Sequence, residues 1–392
     1  MKSRTRHYLP ATVLLTLGLC FCLSIAAGTS NPKVFYAGIA YLGSHELVES
    51  NYPHALKLNR ASSEGPGRLD QTLKALLEET SPSEMDLAYG LANLRKGESL
   101  TMAIAIDKEQ VSVESFNFDG QATYKVIAEV SAQILFYDYE SMTLVTSYPD
   151  ALALNHVIES ASRQQVDKEL PALFEVLYFG DEQGPGLLQN LVNRLSTLQL
   201  DQRPGLRFQM ESIDTSNKAA DQLPHQLSLN QFKQYLGQYF SSQLSNQTSA
   251  AVLPYIRGYA LGRQMPGRFA NGEVFVLTLP EPDFVFNLAV ERFIANANAQ
   301  QLLHGAQVRF SLREPVRQKI YIDDQFMFAV AKPNSAERVQ TDDWSAYEDA
   351  LESLIDNLVV QLKEPSRKWF KTHARNAASY RQFKDRKDMF ND

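Results

Sequence analysis

The first residues with a chemistry-bearing pattern are His45-Glu46-Leu47-Val48-Glu49, with His54 close behind. A zinc hydrolase helix needs two histidines on one helical face and a glutamate between them to activate water. Here the second histidine is absent from that spacing, and Pro53 interrupts the segment before His54. The run reads as a polar surface loop. His156, His225, His304 and His373 have no partner at ligand spacing either, so no metal is expected.

Gly180-Asp181-Glu182-Gln183-Gly184-Pro185-Gly186 precedes a helical pattern, where backbone amides could cradle a phosphate. The lysine and hydroxyl of a P-loop are missing, and two acids would repel the anion. We read a turn leading into a helix and expect no cofactor. Asp323-Asp324 and Asp342-Asp343 are candidate acid pairs for general acid–base work. Neighbours on a strand point to opposite faces, so a turn and a helix start account for them. No Gly-x-Ser-x-Gly elbow or Ser-x-x-Lys pair marks a nucleophile, and no catalytic residue is assigned. Asn246-Gln247-Thr248 is a glycosylation sequon that matters only in a eukaryotic secretory route.

The C-terminal stretch is more distinctive. Arg367, Lys368, Lys371, Arg375, Arg381, Lys384, Arg386 and Lys387 alternate with Trp369, Phe370, Tyr380, Phe383 and Phe390. Such a segment can lie on an anionic membrane surface or fold onto a protein partner in the envelope. Arg367, Lys368, Trp369, Phe370, Lys371, Arg375, Tyr380, Arg381, Phe383 and Lys384 are the candidate contact residues. A solvated terminus would contribute little packing, so removing residues 366–392 is expected to leave thermal stability nearly unchanged.

Composition sets the frame for these segments. The 392 residues are 44% hydrophobic and 21% charged, an ordinary globular balance with length for two domains. Lys2, Arg4 and Arg6 precede an apolar run from Ala11 to Ala27, and Ser24-Ile25-Ala26 offers a cleavage site. This predicts a secretory signal peptide over residues 1–27 and a periplasmic or secreted product. An uncleaved anchor would have a short apolar span. Both cysteines, Cys20 and Cys22, lie inside this leader, behind Leu19 and Phe21 rather than the small residue lipidation favours. The mature chain would then hold no thiol and no disulfide. Loss of Lys2, Arg4 and Arg6 takes the formal charge from −7 to −10, which disfavours nucleic acid as a partner.

The elements follow from periodicity. Tyr124, Val126, Ala128, Val130, Ala132, Ile134 and Phe136 share one face of a strand, while Lys125, Glu129, Ser131 and Gln133 dominate the other. A long hairpin is predicted from Tyr124 to Ser147. A strand is predicted over 33–42, and a pair over 100–106 and 110–116 turning at Asp107-Lys108. Helices are predicted over 68–79, 87–94, 170–177 and 187–198. The second half begins with a strand over 206–213 and a helix opened by the capping box Ser228-Leu229-Asn230-Gln231. Residues 250–261 read as helical and 263–272 as a loop. Strands are predicted over 273–279, 283–293, 306–313, 317–323 and 326–331. A last amphipathic helix runs from Trp344 to Leu362 and stops before Pro365.

These elements predict a mixed α/β fold. The first domain would span 28–203, the second 204–364 and the tail 365–392, with an element order similar enough in the two halves to suggest a pseudo-repeat. In the second half the order strand, helix, Phe284–Phe293, Gly305–Leu312, Lys319–Tyr321 and final amphipathic helix resembles the fold of the TolB amino-terminal domain, CsgG and LpoB. That resemblance implies a noncatalytic assembly or docking module. It carries over no catalytic residue. The lipid-anchoring cysteine usual in CsgG and LpoB is missing, as is a transmembrane hairpin like that of CsgG. The expected function is an exported, noncatalytic envelope protein acting through protein–protein contacts. The alternatives are a secreted hydrolase with a site built from distant residues, or a periplasmic small-ligand carrier.

Overall fold

In chain order the first half runs β1 (Lys33–Leu42), α1 (Val48–Asn51), α2 (Pro53–Leu58), α3 (Arg68–Thr80), β2 (Asp86–Tyr89), β3 (Leu100–Phe118), β4 (Gln121–Asp138), β5 (Thr143–Glu159), α4 (Arg163–Phe179), β6 (Gly180–Asp181), β7 (Gly184–Pro185) and α5 (Leu187–Thr197). The second runs β8 (Arg207–Thr215), α6 (Asn217–Ala220), α7 (Leu229–Gln247), β9 (Ala251–Leu253), β10 (Gln264–Phe269), β11 (Val274–Thr278), β12 (Phe284–Ala297), β13 (Gln301–Glu314), β14 (Lys319–Pro333), α8 (Trp344–Lys363), α9 (Arg367–His373) and α10 (Ser379–Lys384). This is a computed structural model, and it describes residues 31–60, 67–90, 98–118, 121–159, 162–198, 205–224, 227–248, 250–255, 263–297, 301–333 and 344–391. The expected signal peptide, His225, Asp342-Asp343 and most of the expected link at 201–205 lie outside those residues.

The fold is mixed α/β with two main sheets. The first has the order β10-β11-β5-β4-β3-β1-β2. Its core is the antiparallel meander β3-β4-β5, while β1 runs parallel to both β3 and β2. The alternation along β4 works as predicted. Val126, Ala128, Val130, Ala132, Ile134 and Phe136 are buried under α3, α4 and α5. Each of the Val, Ile and Phe side chains among them contributes on the order of 2 kcal/mol of apolar burial, and each alanine methyl less than about 1 kcal/mol. Helix α4 includes Pro171, which weakens its helical signature, yet Val166, Phe174, Leu177 and Tyr178 are buried on this face. Packing outweighs the local cost.

The ribbon β10–β11 belongs to the second half of the chain but completes the first sheet. β10 pairs with β1 at Ala40–Leu42, and β11 meets β5 at Thr143. The sheet thus closes on itself at one end, around Leu135, Tyr137, Leu144, Met265, Phe275 and Leu277. Residues 263–272, expected as a loop, are therefore mostly strand. Their alternation is hidden by Pro266, Gly267 and Arg268, and Gly267 is tolerated because the Phe275 ring fills its side-chain position. Residues 87–89 form strand β2 rather than the expected helix, because they add to β1. Residues 251–253 form β9 rather than helix, pairing with β8, and 256–261 lie outside the described residues.

The second sheet has the order β14-β13-β12-β8-β9. The expected breaks at 323–326 and in the first hairpin are absent: β14 and β3 are each continuous. Helix α7 opens with the predicted capping box, Gln231 N donating to Ser228 Oγ at 3.2 Å and Ser228 N to Gln231 Oε1 at 3.1 Å. Phe232, Leu236, Phe240 and Leu244 of α7 pack with α8 on Phe208, Phe286 and Phe310. The other side of α7 carries small and polar buried residues, Gly237, Gln238, Ser241, Ser242 and Ser245, and runs along β5. There α5 and α7 are joined by Arg194, whose guanidinium donates to Pro149 O at 2.8 Å, Ser245 O at 2.7 Å and Asn246 Oδ1.

The tail corrects a sequence expectation. Phe370, Phe383 and Phe390 are fully buried in the core of the second sheet. Phe390 lies 4.9 Å from Phe208 between ring centroids, and Phe383 lies 4.8 Å from Phe370. The link between α9 and α10 also covers the outer edge of β14. Ala374 forms a β-bridge with Phe326, and Arg375 N donates to Gln325 O at 2.8 Å. An edge strand left open is a site for unwanted pairing, so the tail both fills the core and shields the sheet.

Candidate functional site

Two regions collect ionisable side chains. The first arises from a bulge in β3. Ile106 pairs with Ala132 and Lys108 with Ser131, leaving Asp107 as an extra residue. Asp107 and Lys108 then both reach the inner face of the sheet, which Glu129, Ser131 and Gln133 of β4 share. Asp107 accepts from Ser131 Oγ and from Gln133 Nε2 at 2.6 Å. Its backbone carbonyl accepts from Gln238 Nε2 of α7 at 3.1 Å. The Lys108 ammonium pairs with Glu129 and sits 3.8 Å above the Tyr235 ring. The expected turn at Asp107-Lys108 is thus a bulge inside one strand, and it turns the charged residues toward the second half.

Past the bulge the alternation is inverted, and Glu109 points to the helical face. Its carboxylate accepts from His54 N at 3.0 Å, Ala55 N at 2.6 Å and Tyr178 OH at 3.0 Å. It therefore caps the N-terminus of α2, as a carboxylate suits that dipole. Burial pushes its pKa up to about 7, against the lowering effect of those three donors. Burial likewise raises Asp107, opposed by its hydrogen bonds. Across the seam, burial and then the nearby Glu129 push Glu352 of α8 up to about 8. Asp356, one turn on, is raised by burial and accepts from Tyr239 OH at 2.9 Å.

Raised carboxylates in a cleft are a familiar mark of acid–base sites. Here both oxygens of Glu109 are occupied by structural donors. The cluster as a whole therefore reads first as a polar seam between the two sheets. Its members were visible in the sequence only as a charged triplet, Asp107-Lys108-Glu109, interrupting apolar alternation.

The second region is the tail. Arg367, Lys368, Lys371, Arg375, Arg381 and Lys384 are exposed, while Trp369 and Tyr380 are half-buried. The Arg367 guanidinium lies 5.2 Å from the Tyr380 ring centroid, and Arg375 donates to Gln325 Oε1 at 2.7 Å. Phe370 and Phe383 are removed from any contact surface by their burial.

The remaining sequence candidates disperse. His45 is exposed, and His54 stacks on Phe174 at 3.9 Å between centroids. Gly180 to Gly186 form the small ribbon β6–β7 ahead of α5. Asp323 pairs with Arg309 at 2.7 Å, whereas Asp324 accepts from Asn376 N at 3.0 Å and from Ser379 Oγ. No helix among the described residues is long and apolar enough to cross a membrane.

No family model matches the chain, and no curated protein matches it significantly. Solved structures are similar over part of it, among them the three that follow. A hypothetical protein from Chlamydia trachomatis is 11% identical, over 40% of this chain and 95% of its own, with a TM-score of 0.27. A Xanthomonas campestris protein of the DUF330 family is 11% identical over 44% of this chain and 90% of its own, with a TM-score of 0.24. A minor lipoprotein from Acinetobacter baumannii is 10% identical over 43% of this chain and 89% of its own, with a TM-score of 0.21. The likeness to the TolB amino-terminal domain, CsgG and LpoB stays one of element order.

Proposed function

We propose that the chain is an exported, noncatalytic envelope protein that works as a docking or assembly subunit through protein–protein contacts. The observation that carries this reading is the two-sided tail. Its aromatic residues anchor α9 and α10 in the core, and its outer side presents seven exposed Lys and Arg residues, the six named above and Lys387. On a chain of formal charge −7 this is a local inversion of sign, held on a rigid base. A preorganised basic surface favours an acidic protein partner, because little conformational entropy is lost on docking.

The test exchanges Lys368, Lys371, Arg381 and Lys384 for Glu together in the full chain. Crosslinked pulldown from intact envelopes is then compared with the unaltered protein. Loss of a specific crosslinked protein, with an unchanged melting temperature, supports the reading. Unchanged recovery overturns it. Binding to anionic vesicles that the exchange abolishes, without any protein crosslink, moves the partner to lipid.

A further inference from the structure

The cleft between the first sheet and α7 holds two adjoining cavities of about 430 and 580 Å3. Both are lined by Asn51, Tyr52, Asp107, Gln231, Gln234 and Gln238. They meet at the bulge, where acceptors outnumber donors. Gln133 and Gln238 each spend their amide nitrogen on Asp107, one on its carboxylate and one on its backbone carbonyl. Their Oε1 atoms are left buried without a partner, as is the Tyr235 hydroxyl. Gln133, Gln238 and Tyr235 are only 3, 8 and 4% exposed. A carboxylate offers about four acceptor positions, of which Asp107 uses two on Ser131 and Gln133.

We propose that this cleft binds a primary ammonium carried on an aliphatic stem, as a diamine or a lysyl side chain presents it. An ammonium has three donors and no acceptor, which complements a floor of two bare amide carbonyls and a carboxylate. A hydroxyl ligand would bring acceptors that the floor leaves unmet. Both cations that line the smaller cavity are already held, Lys108 by Glu129 and the Tyr235 ring and Arg163 by Asp167, while the Asp107 carboxylate keeps acceptor positions open. The larger cavity supplies the wall for the stem, with Leu42, Pro254, Met265 and Pro266. The buried carbonyls gain partners when the ammonium enters, which offsets their desolvation. This site is independent of the basic tail, so either reading can fail alone.

The test is calorimetric titration of the full chain with cadaverine and with Nα-acetyl-lysine amide. The first arm represents a free diamine and the second a peptide side chain. Nα-acetyl-norleucine amide and the Nε-trimethylated lysine derivative serve as controls, since one lacks the charge and the other the donors. Binding of either amine, with both controls at least about tenfold weaker, is expected. Asp107→Asn should weaken the amine about tenfold. Tyr235→Phe loses no hydrogen bond seen in the free protein, so it tests the site even if the first variant fails to fold; it should weaken binding a few-fold. No binding by either amine, equal binding of a control, or affinity unchanged in Tyr235→Phe and in any folded Asp107→Asn overturns the proposal.

Discussion

Replacing Phe383 by Ala separates an anchored tail from a frayed one. Phe383 has no exposed surface, and its ring lies 4.8 Å from Phe370, 5.9 Å from Phe326 and 6.3 Å from Phe310 between centroids. Truncating a buried Phe to Ala costs about 3–5 kcal/mol, from lost transfer energy and the cavity left behind. Phe383 sits on a six-residue helix near the C-terminus, where the surroundings can collapse, so the lower end applies, about 3 kcal/mol. The neighbouring Lys384 is exposed, and Lys384→Glu should change stability by no more than about 0.5 kcal/mol. Urea unfolding followed by tryptophan fluorescence reads both. The chain has two tryptophans, Trp369 in the tail and Trp344 at the start of α8, so a Trp369→Phe background isolates the core signal. With a slope of about 3 kcal/mol/M, Phe383→Ala should lower the midpoint by about 1 M. If it shifts the midpoint no more than Lys384→Glu does, the tail is not part of the core and the burial argument fails.

Glu109 gives a pH test. Its pKa is about 7 in the folded chain against an ordinary 4.5, so the folded state keeps a proton that the unfolded chain releases. Stability is therefore highest below about pH 4.5 for this group, falls as the pH rises toward 7, and levels off above it. Glu109→Gln cannot titrate, so urea midpoints at about pH 5 and about pH 8 should differ more in the unaltered protein than in the variant. Gly237→Ala should destabilise the protein by about 1–3 kcal/mol, although alanine is the better helix former, because the added methyl would overlap the Tyr255 ring. A stabilised variant in thermal melts would show that α7 does not pack as closely as described.

Residues near one another in the chain carried much of the fold. The alternation in β4, the leucine stripe of α3, the capping box at Ser228 and the stripe of α8 all appear as periodicity, because each element buries one face whatever its neighbours are. What escaped that reading depends on distant partners. The ribbon β10–β11 is strand only because β1 and β5 offer it edges. The aromatic tail looked like a contact surface, since an aromatic side chain has the same local signature whether it meets a partner or its own core. The seam is the clearest case. Asp107-Lys108 resembled a turn, and only pairing with β4 made it a bulge that places consecutive charges on one face. Alternation along a strand assigns faces one residue at a time, and a single inserted residue inverts every face beyond it. The sequence by itself thus determined composition, charge and most regular elements; the tertiary structure alone decided which charged side chains meet, because their faces are set by pairing between strands.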